Sequence, residues 1–392
     1  MERLPEHTLP LAERRKDRIR GCLLGGAAGD ALGYPVEFST AYDIVQEYGP
    51  RGITTYQPDP AWGKALISDD TQMTLFTANG MLWGQTQQKL QGTKEALSVS
   101  VALAYRDWYT TQMTTFANRD SQPRPISWLC RVPELYSRRA PGNTCLSALS
   151  EPDNIRRADF LEPPVNDSKG CGGVMRVAPL GLIPWEAEEQ LLLEAARAAA
   201  ITHGHPLGYL PASVLCDILR RIVFAEHPVD LKETVQEAAK AVCRCFRRQR
   251  PAKQLRHLID RAVKLAENNK PDVENIHSLG GGWVGEEALA ISIYCSLRYR
   301  EDFSAGIIAA VNHDGDSDST GAITGNILGA LAGYEAIRDP WQKDLELAEV
   351  TLELADDLYY GVPLSRDDPA WTSKYVHACP KEEGLCKARP EK

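Results

Sequence analysis

"GCLLGGAAGDALG" (residues 21–33) places glycine at positions 21, 25, 29 and 33, and "GAITGNILGALAG" (residues 321–333) repeats the device at 321, 325, 329 and 333. Glycine lowers helix stability by about 1 kcal/mol per residue relative to alanine, so such rows need a compensating gain. A four-residue repeat sets each row along one helix face, where missing side chains let another backbone approach closely. Leu23, Leu24, Ala27, Ala28, Ile323, Ile327 and Leu328 fill the gaps with apolar surface, which fits buried helices and not flexible loops. The spacing predicts two central helices packed at short distance.

Working outward, helical periodicity recurs in "ALSVSVALAYRDWY", "EEQLLLEAARAAAITH", "LKETVQEAAKAVCRCF", "QLRHLIDRAVKLAENN" and "EEALAISIYCSLRY", while the alternation of half-buried strands is nearly absent. A mainly α-helical fold follows. Polar or proline-rich stretches at residues 118–125, 140–164 and 268–275 are expected to be loops between helices. Composition does not shift across them, so residues 1–363 are expected to form a single domain. Residues 364–392 have weak periodicity and are expected to be a peripheral extension.

With 44 basic against 53 acidic residues, net charge −9, and one short basic run at residues 243–250, the chain does not look like a nucleic-acid binder. Its first residues are charged and broken by proline, and no uncharged apolar run reaches about 18 residues. A cytoplasmic protein without membrane contact is the expectation. The ten cysteines are scattered, and Cys243-x-Cys245 and Cys379-x6-Cys386 lack the paired spacing of a zinc site, so they are expected to be reduced structural thiols.

Charge concentrates at the mouth of the second glycine helix, in "HDGDSDSTG" (residues 313–321). An EF-hand would need glycine at loop position six and glutamate at twelve, where this chain has Ser319 and Gly325. On a helix Asp316 and Asp318 would point about 200° apart, so a shared site requires them in the turn that precedes it. The device recurs upstream, where Ser68, Asp69, Asp70 and Thr71 precede an apolar helical stretch. Helix N-termini favour carboxylates. Oxygen-only donors with hydroxyl support suit magnesium or manganese better than zinc, and four crowded carboxylates without cations would repel one another or protonate. Glu37, just beyond the first glycine helix, is a further acidic candidate, whereas Asp30 inside that helix reads as a capping or buried-network residue.

An anion loop is suggested by "NDSKGCGGVMRVAPLG" (residues 166–181), where Gly170, Gly172 and Gly173 stand beside Ser168, Lys169 and Arg176. It lacks the GxxxxGK[ST] of a P-loop. His203 and His205 end an alanine-rich helix and read first as C-terminal helix caps and only second as catalytic groups. Trp283, in a glycine-rich loop, is placed to stack a base or simply to pack.

Taken together, "GCLLGGAAGDALGYPVEF", "SDDTQM", "GCGGVMRVAPLGL", "THGHPLGY", "GEEALA" and "HDGDSDSTGAITGNILGA" resemble, in order, the motifs of the ADP-ribosylglycohydrolases. The resemblance implies an all-α, orthogonal helical bundle and a binuclear centre of two Mg2+ or Mn2+ ions. It implies hydrolysis of the N-glycosidic bond between ADP-ribose and a protein side chain, with the HxGDSDS and THxHP forms closer to the arginine-directed branch. Carried over by position, Ser68, Asp69, Asp70, Asp316, Asp318 and Ser319 would be metal ligands, and Glu37, Asp69 and Asp316 the catalytic candidates. Ser168, Gly170, Cys171, Gly172 and Gly173 would hold the diphosphate, with His203 and Trp283 as further substrate contacts. The implied partners are an ADP-ribosylated protein or small molecule and the product ADP-ribose. A nucleotide-diphosphate hydrolase, another ADP-ribosyl linkage, or a silent ADP-ribose binder are the competing readings.

Overall fold

The computed structural model describes residues 10–157, 159–363 and 368–376. Among them are seventeen α-helices and no β-strand. The first half holds α1 (Leu11–Gly33), α2 (Ala41–Tyr48), α3 (Asp69–Gln91), α4 (Leu97–Met113), α5 (Asn143–Ser150), α6 (Pro152–Ile155) and α7 (Glu188–Ala200). There follow α8 (Pro206–Val223), α9 (Leu231–Cys245), α10 (Arg250–Leu265), α11 (Asp272–Leu279), α12 (Gly285–Arg298) and α13 (Phe303–Val311). The series closes with α14 (Ser317–Ala332), α15 (Asp339–Gln342), α16 (Ala348–Tyr360) and α17 (Pro369–Tyr375).

The glycine rows do pair α1 with α14. A Cβ at Gly25 would stand 2.5 Å from the Gly325 carbonyl oxygen, and at the two ends Gly21 faces Gly329 while Gly33 faces Ser317, so the helices run antiparallel. No side chain fits between them, and Asn326 stitches the contact by donating to the Cys22 carbonyl at 2.8 Å. The main apolar cluster extends from Ile19 in α1 to Tyr375 in α17 and includes Phe76, Trp108, Leu215 and Tyr294, while two smaller clusters take other faces of the pair, one with Ala28, Leu32 and Leu328 and one with Leu24, Ala27 and Ala31.

The segments with clear helical spacing form α4, α7, α9, α10 and α12. Residues 140–164 differ from the expected loop, because they contain α5 and α6. Cys145, Ala148 and Leu149 are buried at i, i+3 and i+4, a one-face pattern too short to stand out between Gly142 and Pro152. In the tail, α17 buries Trp371, whose indole N–H donates to Thr86 Oγ1 at 3.1 Å. The rest of the tail, with Cys379 and Cys386, lies outside the described residues. Among those residues eight cysteines are free thiols and no helix is long and apolar enough to cross a membrane.

Candidate active site

Three backbone features converge beside the C-terminal end of α1. The chain leaves α1 through a short turn, Tyr34–Val36, that delivers Glu37. The N-terminus of α14 lies against Gly33, whose Cβ would meet Asp318 Cα at 2.7 Å. The N-terminus of α3 is tied to α1 by Asp30: the Ser68 N–H donates to its carboxylate at 3.0 and 3.1 Å, the Thr71 N–H at 3.1 Å, and the Thr71 hydroxyl also donates to it. From the other side, the Ile67 N–H donates to Glu346 at 3.1 Å, Glu346 pairs with Arg139 at 3.1 Å, and the Asp69 N–H donates to the Arg139 carbonyl at 3.1 Å.

Both acidic helix starts use the same capping chemistry. Ser68 caps α3 by accepting from the Asp70 N–H at 3.2 Å, and Asp316 caps α14 by accepting from the Ser319 N–H at 3.2 Å. Only Asp316 occupies the preceding turn, since Asp318 already sits in the first turn of α14. The two acids nevertheless line one cavity, because the capping conformation of Asp316 re-aims its side chain. Asp314 points elsewhere and caps α2, accepting from the Ala41 N–H at 2.7 Å.

A cavity of about 210 Å³ lies between these elements, walled by Glu37, Asp69, Asp70, Asp316, Asp318 and Ser319 on one side and by Gly170, Cys171, Gly172 and His203 on the other, with Trp283 at its rim. In larger hollows of about 940, 600 and 520 Å³ elsewhere on the molecule the acids are interspersed with arginines and lysines. Burial, reinforced by the Asp316, Asp69 and Asp30 charges, pushes the Glu37 carboxyl up to about 9. Burial and the Asp30 and Asp316 charges push Asp69 up to about 8, against the Gly142 N–H that stabilises its ionised form. Asp70 and Asp318 are raised by burial first and by their acidic neighbours second.

This donor set fits a hard divalent cation. Asp70 Oδ2 and Glu37 Oε2 are buried without a hydrogen-bond partner, and the surrounding donors are carboxylate and hydroxyl oxygens. Among the described residues no three His, Cys, Asp or Glu groups are spaced to hold a metal as they stand, so the acids border the cavity without forming a closed cage.

The facing wall is held by main-chain pairing. Gly170 and Val284 form an isolated antiparallel bridge, and the Cys171 N–H donates to the Trp283 carbonyl at 3.2 Å. The Cys171 thiol crosses to the acidic wall and donates to Asp316 Oδ2 at 2.7 Å. Gly172 leaves no room for a side chain, since its Cβ would stand 2.9 Å from His203 Cε1 and 3.1 Å from Cys145 Sγ. His203 is buried, and burial followed by the nearby Arg176 charge lowers its pKa to about 3, so the ring is neutral.

Several expected residues stand behind the wall. Ser68 is a buried cap, Gly173 packs against the Gly208 carbonyl of α8, and Ser168 orders the loop by accepting from the Gly170 N–H at 3.4 Å. Lys169 turns away to pair with Glu286 at 2.6 Å, and Arg176 is fully buried. Asn143, Thr144 and Cys145 also line the cavity and carried no motif in the sequence, and Met175, inside the glycine-rich motif, had not been singled out. Phe38 was not anticipated either. Its ring, 75% exposed, stacks on Trp283 with centroids 5.9 Å apart and planes at 17°.

The sequence model of the ADP-ribosylglycohydrolases matches residues 11–367. The chain is 27% identical over 381 residues to ADP-ribosylhydrolase ARH3 of Mus musculus, covering 89% of this chain and 92% of that one. It is 24% identical over 336 residues to ADP-ribosyl-[dinitrogen reductase] glycohydrolase of Rhodospirillum rubrum, covering 84% and 91%. Among solved structures it shares the fold of an ADP-ribosylglycohydrolase-related protein complex, with a TM-score of 0.57 at 24% identity over 89% of this chain and 99% of that one.

Proposed function

This chain belongs to the ADP-ribosylglycohydrolase family, and we propose that it hydrolyses the N-glycosidic bond between ADP-ribose and an arginine side chain with the help of two Mg2+ or Mn2+ ions. The observation that carries this reading is the cavity itself, with five buried carboxylates on one wall and a glycine-rich, uncharged wall opposite. Asp69, Asp70, Asp316 and Asp318, with Ser319, would hold the cations, and Ser68 would support them from behind as the cap of α3. When bound, these ions supply positive charge to orient the ribose hydroxyls and the attacking water.

The protein's own part is positioning and proton transfer. Glu37 Oε2 has no partner and borders the cavity; with cation charge offsetting the burial and the acidic neighbours that hold its proton, it would ionise and take the proton of water as the water oxygen bonds to the anomeric carbon. The carbon–nitrogen bond breaks, and the same proton then passes to the leaving guanidine nitrogen. Water adds across the bond and no other reactant is needed. The Phe38–Trp283 stack at the rim, beside acidic groups, suits a planar guanidinium cation, which favours arginine over a hydroxyl-linked side chain.

The test is release of ADP-ribose from a mono-ADP-ribosylated arginine protein, with magnesium, with EDTA, and with Asp316→Ala. Magnesium-dependent release of intact ADP-ribose that vanishes in the other two arms is the expected result. Appearance of AMP would make the enzyme a pyrophosphate hydrolase, and no release in any arm would end the arginine reading.

A further inference from the structure

Among fully buried side chains Arg176 is second in size only to Trp108, and it is a cation. One terminal nitrogen donates to Cys145 Sγ at 3.2 Å and Met73 Sδ at 3.4 Å, and the other to Thr202 Oγ1 at 2.7 Å and the Ala198 carbonyl at 3.5 Å. The guanidinium lies 4.3 Å from the centre of the Tyr105 ring, and its Nε has no partner. Every one of these acceptors is neutral. Among the described residues no carboxylate stands within ion-pair distance of Arg176, whereas the equally buried Asp217 holds Arg220 at 2.6 Å and Arg221 at 2.8 Å. An unpaired buried charge is costly, so a fold that keeps one needs a reason outside its own stability.

Its position supplies that reason. Cys145, which accepts from Arg176, and His203, which shares Thr202 with it through a 2.8 Å contact, both form the cavity wall. The backbone of Gly172 rests on the same two side chains. The guanidinium therefore stands behind the side chains that back the glycine wall. Among the described residues no Lys or Arg lines the cavity, and Lys169 of the same loop is engaged by Glu286.

We infer that Arg176 is the fixed counter-charge for the diphosphate of the bound substrate, acting through the Gly172 wall, and that the fold leaves it without a carboxylate so that the ligand supplies the negative charge. The inference rests on the reading of the 168–173 loop as the diphosphate site. It assigns Arg176 a positioning role: the buried cation draws the phosphates to the glycine wall, and the ribose is left facing the acids. The interaction works at low dielectric and is already organised before binding, so it acts without touching the ligand.

Arg176→Met and Arg176→Lys separate charge from shape, since both keep a long unbranched side chain and only one keeps the cation. Three quantities are read: the Tm of the ligand-free protein, the Kd for ADP-ribose by calorimetry, and the rise in Tm that ADP-ribose produces. Expected for Arg176→Met is a ligand-free Tm equal to or above wild type, an ADP-ribose Kd about 10-fold or more weaker, and a smaller ligand-induced rise. Arg176→Lys is expected to stay within about 3-fold of the wild-type Kd. An Arg176→Met protein that is less stable or fails to fold, or one that binds ADP-ribose as tightly as wild type, overturns the inference. Wild-type protein that does not bind ADP-ribose at all would instead remove the diphosphate reading on which it rests.

Discussion

Replacing Gly33 by alanine tests whether the glycine rows set the geometry of the acidic site. Gly33 has helical backbone angles (φ −80°, ψ −34°), so alanine brings no backbone strain there and gains about 1 kcal/mol of intrinsic helix preference. Its Cβ would, however, stand 2.5 Å from the Ser317 carbonyl carbon and 2.7 Å from Asp318 Cα, where carbon atoms ordinarily keep about 3.5–4.0 Å. Both neighbours are backbone, so relief requires the tip of α14 to retreat by about 1 Å. Overpacking costs roughly 1–3 kcal/mol, and two facing backbones put this case at or above the upper end, leaving about 2 kcal/mol after the helix gain. With an unfolding entropy of about 2.1 cal/mol/K per residue, a chain of 392 residues loses about 2–3 °C in Tm. The effect on turnover is larger, because a displacement of about 1 Å in a catalytic constellation can lower the rate about 100-fold. Gly21→Ala is the control. Its Cβ would meet Gly333 C and Tyr334 N at 2.8 Å, a comparable clash about 18 Å along the helix from the acids. Thermal denaturation and initial rates of ADP-ribose release at saturating magnesium should show similar losses of Tm and a rate loss confined to Gly33→Ala. Full activity in Gly33→Ala, or equal rate losses in both variants, would refute the reasoning.

Asp30→Ala should leave the Ser68 and Thr71 N–H groups without acceptors, costing about 1–3 kcal/mol and weakening magnesium half-saturation about 10–100-fold; an unchanged magnesium titration would mean that α3 is positioned by other contacts. In EDTA the protein should lose stability as pH rises. Asp69 at about 8 and Glu37 at about 9 in the folded state bind protons more tightly than in the unfolded chain, so their contribution is complete below the ordinary carboxylate range and is lost as pH passes through those values. Magnesium should flatten that slope, and a Tm in EDTA that stays level or climbs between about pH 5 and 9 would contradict the cluster's electrostatics. Trp283→Ala and Phe38→Ala should each raise KM for an ADP-ribosyl-arginine substrate about 10-fold with little change in kcat, as expected for loss of a cation–π contact; kinetics identical to wild type would assign the stacked pair to packing alone.

Repeats and charge patterns made much of this legible in the sequence. The two glycine rows could be read because a period of four has one physical use in a helix, close approach of another backbone. The acidic starts of α3 and α14 could be read because hydroxyl and carboxylate residues before an apolar run mark a helix N-terminus. Long-range partners were hidden. Nothing in the sequence joins Ile67 to Glu346 or Asp69 to Arg139, since each pair depends on loops whose paths the core determines. Arg176 looked like a loop cation because it follows glycines, yet the tertiary fold drives it behind the wall. In the same way Lys169 looked available until Glu286, 117 residues away, was placed beside it.

Helix α1 links fold and chemistry, because it is the common reference for groups that come from distant parts of the chain. Its glycine row fixes the height of α14 and with it Asp316 and Asp318; its Asp30 fixes the start of α3 and with it Asp69 and Asp70; its C-terminal turn carries Glu37. Three acidic units therefore keep their mutual spacing as long as one rigid element stays in place. The arrangement also explains the glycines' cost in helix stability. A conventional side-chain interface would hold helix axes about 8–10 Å apart, and each side chain would be free to repack. Backbone against backbone leaves nothing to repack, so a cluster of like charges that repel one another is held by contacts that cannot yield to that repulsion.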